Sequence, residues 1–326
     1  MRAVRVHELT GPAALRVDHD VPEPVAGAGQ VVIDVKAAGV NFPDILLSRG
    51  MYQFKPSPPF SPGGEAAGVV SAVGTGVTSL AVGDRVAVTL LYGAFAEKIL
   101  APEMAVVKLP DAVGFEIGAA TLLTYATTLH ALSDRAAIQK GETLLVLGAA
   151  GVVGIAACEL GALMGARVIA AASTDDKLAF CREHGATDVI NYATEDLKDR
   201  LKALTKGNGV DVVYDPVGGA HTEAALRGTA WKGRYLVVGF ASGDIPKIPL
   251  NLVLLKGCQI VGVFWGSFVA REPGRNQVNC ERIFEEIAKG RLKPHVHRVF
   301  PFEKAGEALE LLEKRAVHGK LALVPR

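Results

Sequence analysis

The chain has 326 residues, 49% of them hydrophobic and 21% charged, and its 35 Lys and Arg against 34 Asp and Glu leave a formal charge of +1. That length lies beyond the size at which one core stops growing and predicts two globular domains. Charge of both signs is mixed along the whole sequence, so no basic stripe invites nucleic acid or anionic lipid and no acidic tail appears. Cys158, Cys181, Cys258 and Cys280 are too widely spaced for a CxxC pair or a disulfide framework and read as reduced, buried thiols. Glycine is the unusual component, with 36 residues, or about 11% against about 7% in an average protein.

The amino terminus opens on a strand-like alternation without the apolar run of a secretory leader, so the expected location is cytoplasmic. Residues 30–36 and 83–89 alternate apolar and polar side chains between Gly and Pro turns, an antiparallel, barrel-like β pattern that holds to about residue 120. Inside it, residues 55–62 read KPSPPFSP, too rich in proline for a helix or a central strand. They predict a semi-rigid loop of the kind that borders active sites.

From about residue 122 the pattern changes. A helix over 125–137 leads into short apolar strands at 144–147, 167–172, 188–192, 210–215, 234–240 and 259–264, with helices between them, which predicts a doubly wound parallel sheet. One of those helices starts at Glu195, with Thr194 as its cap, Glu195 and Asp196 in its first turn, Leu197, Leu201 and Leu204 on one face and Gly207 at its end. The longest apolar stretch, residues 144–158, is shorter than the roughly 18 residues of a membrane span. After Trp265 the chain reads as irregular, then as helices over 280–289 and 302–314 and a strand over 321–324, a tail suited to complete the first domain. The expected domains are therefore 1–121 with 266–326, and 122–265.

The strongest site signal is the apolar strand 144–147 running straight into Gly148, Gly151 and Gly154 and an apolar helix. In a dinucleotide site the first glycine permits the turn, the second lets backbone approach the pyrophosphate and the third lets helix and strand pack closely. Free N–H groups at the helix start, around Val152 and Val153, then receive the diphosphate. The next strand ends without the carboxylate that an NAD enzyme places against the adenosine ribose, continuing instead Ser173-Thr174-Asp175-Asp176-Lys177. Hydroxyls and a lysine suit a 2'-phosphate, which points to NADPH. The same residues also read as an ordinary capped helix start, with two acids in its first turn.

Several stretches together carry a family resemblance: AGVNFPD at 38–44, GGEAAGVVSAVGTGV at 63–77, AVGDRV at 81–86, the glycine turn, GATDVINY at 185–192, VDVVYDPVGG at 210–219 and RAVHGK at 315–320. The chain resembles, essentially end to end, the zinc-independent quinone oxidoreductases of the medium-chain dehydrogenase/reductase superfamily, the ζ-crystallin-like branch. The resemblance implies a GroES-like β-barrel domain built from both chain ends and a central Rossmann domain that binds NADPH. Zinc-dependent alcohol dehydrogenases carry a cysteine ligand where Asn41 stands, a histidine where Gly64 stands and four structural cysteines in the first domain. This chain has none of these, so no metal site is expected, and His295 and His297 read as a strand-end or surface pair.

Without a Lewis acid, the substrate oxygen must be polarised by hydrogen bonds in a water-poor cleft. The resemblance puts Asn41 and Asp44 in the motif lining that cleft, Asn41 also near the cofactor, and Tyr52 where related enoyl thioester reductases carry a proton-donating tyrosine. A phenol stays protonated at neutral pH and can donate; Tyr52 also reads as an aromatic packed under the 55–62 loop. Thr127 matches a position near the nicotinamide, although a helical threonine often bonds back to its own turn. Tyr192 would face the adenosine, with Lys177 and Arg315 at the 2'-phosphate. Val217, the turn Phe240, Ala241, Ser242 and Gly243, and the segment Phe264, Trp265 and Gly266 would border ribose and nicotinamide. Phe42, Tyr52, Phe60, Trp265 and Phe268 could wall the substrate, or belong to the core.

The implied activity is metal-free hydride transfer from NADPH to a quinone or similar conjugated carbonyl. The alternatives are reduction of an activated C=C bond, as in an enoyl thioester, and a non-catalytic NADPH- or RNA-binding role of the crystallin kind. The very apolar strand over 259–264 would be an exposed edge, which predicts a homodimer paired across a two-fold axis.

Overall fold

In chain order the strands are β1 (Ala3–Val6), β2 (Leu15–Asp18), β3 (Gln30–Val40), β4 (Glu65–Val73), β5 (Arg85–Thr89), β6 (Lys98–Pro102), β7 (Val106–Lys108), β8 (Thr143–Leu147), β9 (Arg167–Ala172), β10 (Asp188–Asn191), β11 (Val210–Asp215), β12 (Thr229–Val237), β13 (Gln259–Gly262), β14 (Val296–Pro301) and β15 (Lys320–Val324). They come from a computed structural model that describes residues 1–314 and 317–325. The chain divides into two units, Met1–Leu123 with Arg271–Arg326, and Thr124–Ala270.

In the first unit the sheet order is β14-β15-β3-β4-β5-β7, with β6 also on β3. The tail does complete this sheet: β15 runs antiparallel to β3, with Leu321 opposite Val40 and Leu323 opposite Ala38. Strand alternation explains the packing, because Val31, Ile33 and Val35 on one face of β3 join Val70, Val86 and Phe300 in one apolar cluster.

The second unit is the expected doubly wound sheet, all parallel, in the order β10-β9-β8-β11-β12-β13. The chain winds one way from β8 and the other way from β11, so the topological switch falls between those two strands. β8 is a continuous apolar run because both faces are covered, and Leu144 to Leu147 are fully buried. Each such side chain contributes roughly 1.5–3 kcal/mol.

Several elements differ from the sequence reading. The helix expected from Glu195 is Leu197–Leu204, capped by Asp196, whose carboxylate accepts from Asp199 N; the Glu195 carboxylate instead accepts from Asn191 N. The helix expected over 125–137 is wound in wide turns, with Ala136 N bonded to Ala131 O five residues back. Trp265–Arg271 is a helix rather than irregular chain. The helix expected over 280–289 begins at Pro273, a residue pre-shaped for a first turn. β12 starts at Thr229, because a bulge against β11 accommodates Lys232 at positive φ. Among the described residues all four cysteines are buried and free, and no helix is long and apolar enough to cross a membrane.

Candidate functional site

The glycine turn sits at the C-terminal end of β8. A methyl added at Gly148 would lie 2.6 Å from Val217 Cγ2, and one at Gly154 would overlap the Gly148 carbonyl oxygen and lie 2.6 Å from Ala149 O. Both positions therefore favour glycine, the first because its φ of 57° is left-handed and the Val217 side chain leans on it, the second because backbone oxygens crowd the place of a methyl. Gly151 is the N-cap of the helix Val152–Leu163; it supplies no capping side chain, and no acid stands in the first turn. The first N–H groups of this helix, at Val152 and Val153, thus meet no side-chain cap among the described residues, which is the condition for an anion such as a diphosphate to be received there.

At the end of β9, Ser173 is half-buried, and the Thr174 hydroxyl accepts from Lys177 N at 3.4 Å as cap of the helix Asp175–Glu183. Asp175 lies close by, but Asn191 Nδ2 donates to its Oδ1 at 2.8 Å, so this carboxylate is drawn to the end of β10. Lys177 and Tyr192 are half-buried, and the Tyr192 ring packs against His221 with centroids 4.3 Å apart. Arg315 lies outside the described residues.

Val217 follows β11 in a loop that rests on Gly148. The turn Phe240, Ala241, Ser242 and Gly243 is exposed, and two of its N–H groups bond that loop: Ala241 N to Pro216 O at 3.1 Å and Ser242 N to Val217 O at 2.9 Å. The structure thus brings Gly148, Val217 and the 240–243 turn together. Phe264 and Gly266 are exposed and Trp265 begins a helix; Phe268 is buried in that helix, stacked on His130 at 3.9 Å. Phe268 thus packs within its own unit, against His130. Thr127 is half-buried, whereas its neighbour Thr128 donates to Thr124 O and meets the buried Tyr214 hydroxyl at 2.9 Å.

The other candidates lie in the β unit. Asn41 and Asp44 are fully buried at the end of β3 and the start of the helix Phe42–Ser48. The Asp44 carboxyl accepts from Asn41 N at 2.8 Å and from Gly63 N at 3.0 Å, tying two loops together. Burial raises it to about 7, against the lowering pull of those two bonds and of Lys320. Asn41 Nδ2 donates to Glu65 Oε1 at 2.9 Å, and Lys320 Nζ donates to the same oxygen at 2.5 Å and to Asn41 Oδ1. Glu65 Oε2 accepts from Leu123 N. Sequence reasoning missed Glu65 and Lys320 as a pair, because 255 residues separate them; only the strand pairing of β15 on β3 brings them together.

Tyr52 is half-buried against Val6, Leu47 and Phe60, and burial, then the charge of Asp44, raises its phenol above the ordinary value. Phe60 is buried and Phe42 exposed. The proline-rich loop borders a groove of about 710 Å³ in this unit, where Phe54 stacks on Tyr92 at 5.6 Å and Phe60 meets Tyr92 edge-on at 6.0 Å. His297 has ring neighbours His295 at 6.5 Å and His318 at 6.3 Å, and no metal-holding cluster of His, Cys, Asp or Glu is present among the described residues.

Comparison with known proteins agrees with this architecture. Residues 27–111 match the alcohol dehydrogenase GroES-like domain and residues 152–279 the zinc-binding dehydrogenase family. The chain is 39% identical over 325 residues to the quinone oxidoreductase-like protein 2 homolog of Nematostella vectensis, covering 99% of this chain and 88% of that protein. It is 33% identical to the quinone oxidoreductase of Homo sapiens, covering 99% and 98%. The Escherichia coli quinone oxidoreductase, solved in complex with NADPH, superposes with a TM-score of 0.92 at 32% identity over 100% of both chains. The chain belongs to the quinone oxidoreductase family of the medium-chain dehydrogenases/reductases.

Proposed function

We propose that this protein is an NADPH-dependent oxidoreductase that reduces a quinone or a similar conjugated carbonyl without metal, with residues 122–265 holding the cofactor and residues 1–121 and 266–326 supplying the catalytic groups. The observation that carries the reading is the uncapped helix start behind Gly148, Gly151 and Gly154, where a dinucleotide diphosphate fits backbone N–H groups. NADPH supplies the hydride when bound. Ser173, Thr174 and Lys177 would take its 2'-phosphate, with Arg315, and Tyr192 its adenosine. Val217, the 240–243 turn, Phe264, Trp265, Gly266, Thr127 and Asn41 would border the remainder.

Reduction of a quinone carbonyl by hydride leaves charge on oxygen, and each product hydroquinone needs a proton there. Tyr52 supports that role: its phenol is held protonated and stands on an aromatic and aliphatic base. The Asn41 carboxamide is engaged on both sides by Glu65 and Lys320, so in this reading Asn41 and Asp44 shape the loop that carries the donor. Planar acceptors suit the Phe54 and Tyr92 faces nearby.

A homodimer is part of the proposal. β13 pairs with β12 on one side, and its Gln259, Ile260 and Gly262 are exposed, so a second copy can extend the sheet across a two-fold axis. Light scattering of a monomer at micromolar concentration would remove it. A cytoplasmic location belongs to the same reading, since the cofactor and the free thiols suit a reducing compartment.

The test is NADPH oxidation against quinones, enals and enoyl-CoA esters. Quinone-dependent turnover is expected, with Tyr52→Phe lowering alkene reduction by about 10²-fold and quinone reduction less. Turnover confined to enoyl esters would replace the quinone reading with the alkene one. Absence of all turnover together with salt-sensitive RNA retention would replace both.

A further inference from the structure

The Asp215 side chain ends β11 at the topological switch, next to the glycine turn, and belongs to none of the groups assigned above. It is buried and accepts four hydrogen bonds. Oδ1 takes Val217 N at 2.8 Å and Gly218 N at 2.9 Å; Oδ2 takes the Tyr235 hydroxyl at 2.5 Å and the Thr222 hydroxyl at 3.3 Å. Its backbone oxygen accepts Val238 N at 2.9 Å. One residue therefore anchors the loop after β11 to β12 and to the helix His221–Arg227.

That loop in turn carries its neighbours. Val217 rests on Gly148, the Pro216 and Val217 carbonyls accept Ala241 N and Ser242 N, and Phe240 packs against Gly218. In an open parallel sheet a ligand lies beyond the C-terminal strand ends where the winding reverses. One lip of that crevice is the glycine turn; the other is this loop with the 240–243 turn hung on it.

We infer that Asp215 is a positioning residue for the cofactor: through its bonds to Val217 and Gly218 it sets the second lip of the dinucleotide crevice. The inference rests on the proposed NADPH site. Two donors from the lip and two from the sheet and helix define the carboxylate's position on both sides, so the lip is held in one geometry before a ligand arrives. Pre-set geometry of this kind lowers the ordering cost of binding. Asparagine retains an oxygen for the two lip N–H groups, and its amide can donate to the Tyr235 and Thr222 hydroxyls once these reorient. Alanine removes all four bonds.

The experiment measures NADPH binding by fluorescence titration, alongside thermal unfolding, for wild type, Asp215→Ala, Asp215→Asn and Asp211→Ala. The last variant is a control at the opposite end of the same strand, where Asp211 accepts Thr143 N at 2.8 Å. Expected are a rise in Kd of about tenfold or more for Asp215→Ala and a change within about threefold for Asp215→Asn, the loss matching bonds to a charged group. Asp211→Ala should lower Tm without moving Kd, and KM for NADPH should rise in Asp215→Ala while KM for quinone holds. If wild type binds NADPH and Asp215→Ala binds equally, the inference fails while the cofactor reading stands. It fails too if Asp211→Ala weakens binding as much as Asp215→Ala. Should Asp215→Ala not fold, a Kd for Asp215→Asn more than about tenfold above wild type would overturn the shared-oxygen account. No NADPH binding by wild type would remove the cofactor reading itself.

Discussion

In the unit Thr124–Ala270 the polar groups proposed to receive the diphosphate come from backbone: the start of the helix Val152–Leu163, reached through Gly148 and Gly151 and capped by no side chain. In the β unit the buried polar centre is made of side chains: Asn41, Glu65 and Lys320 bond one another, and beside them the Asp44 carboxyl accepts the backbone N–H groups of Asn41 and Gly63. The first arrangement is local, spread over a few consecutive residues, and has no side-chain cap. The second is assembled from the end of β3, the start of β4 and the start of β15, and is closed by protein partners, including the backbone N–H groups of Gly63 and Leu123. A site can therefore be polar for two opposite reasons, and the partners of each donor decide which.

The sharpest way to break the closed centre is Lys320→Met. It leaves the Glu65 carboxylate fully buried with, among the described residues, Asn41 Nδ2 and Leu123 N as partners, an uncompensated charge that costs about 3–5 kcal/mol. The double variant Lys320→Met with Glu65→Gln should recover part of that loss, since both charges are then gone. Denaturant unfolding of the two variants decides it: equal stability of the single and double variants would mean that the lone carboxylate is not the cost.

The open arrangement breaks through shape. Gly154→Ala sets a methyl against the Gly148 and Ala149 carbonyl oxygens, where no flexible side chain can give way. Such overpacking costs roughly 1–3 kcal/mol. The displaced helix start should weaken NADPH about 10²-fold, since small misplacements carry penalties of that size. A variant of normal Kd would show that the helix start does not receive the diphosphate.

This difference in construction also explains what could be read from residues alone. The parallel sheet, the approximate places of its strands other than the start of β12, and the glycine turn are legible because periodicity and glycine spacing act over short stretches. The Asp196 cap was misread by two residues, because Thr194 and Asp196 are both good caps and only the bond from Asp199 N distinguishes them. Phe268 reads from sequence as either substrate wall or core, because apolar residues carry no mark of what they face. Lys320 and Glu65, and the Tyr235 bond to Asp215, depend on strand order and have no local signal, whereas the Val217 and Gly218 bonds to Asp215 are local ones of the kind an Asp makes to its own turn.

A smaller effect separates the two regions by pH. The Asp44 carboxyl, raised to about 7 by burial, keeps its proton in the folded state after the unfolded chain, at an ordinary value of 3.8, has released it. The folded state thus binds more protons between those values, so the stability this group contributes is fully present below about pH 4 and is lost as pH rises toward 7. From about pH 5.5 to about pH 8 the loss is about 2 kcal/mol. Urea unfolding of wild type against Asp44→Asn measures it, and parallel slopes in the two proteins would contradict it.

The smallest expected effect concerns the cofactor's phosphate. Lys177 stands half-buried in the first turn of the helix Asp175–Glu183, beside an Asp175 carboxylate bound by Asn191. A lysine in that place attracts a 2'-phosphate as a point charge, whereas NADH offers only a hydroxyl that needs no cation. Lys177→Ala should therefore raise Kd for NADPH about tenfold, close to 1.4 kcal/mol, and leave NADH within about twofold. Equal losses for both nucleotides would place the lysine's effect on the helix rather than on the phosphate. Tighter binding of NADH than NADPH by wild type would assign the end of β9 to a ribose hydroxyl, with Ser173 and Thr174 as its hydrogen-bonding groups.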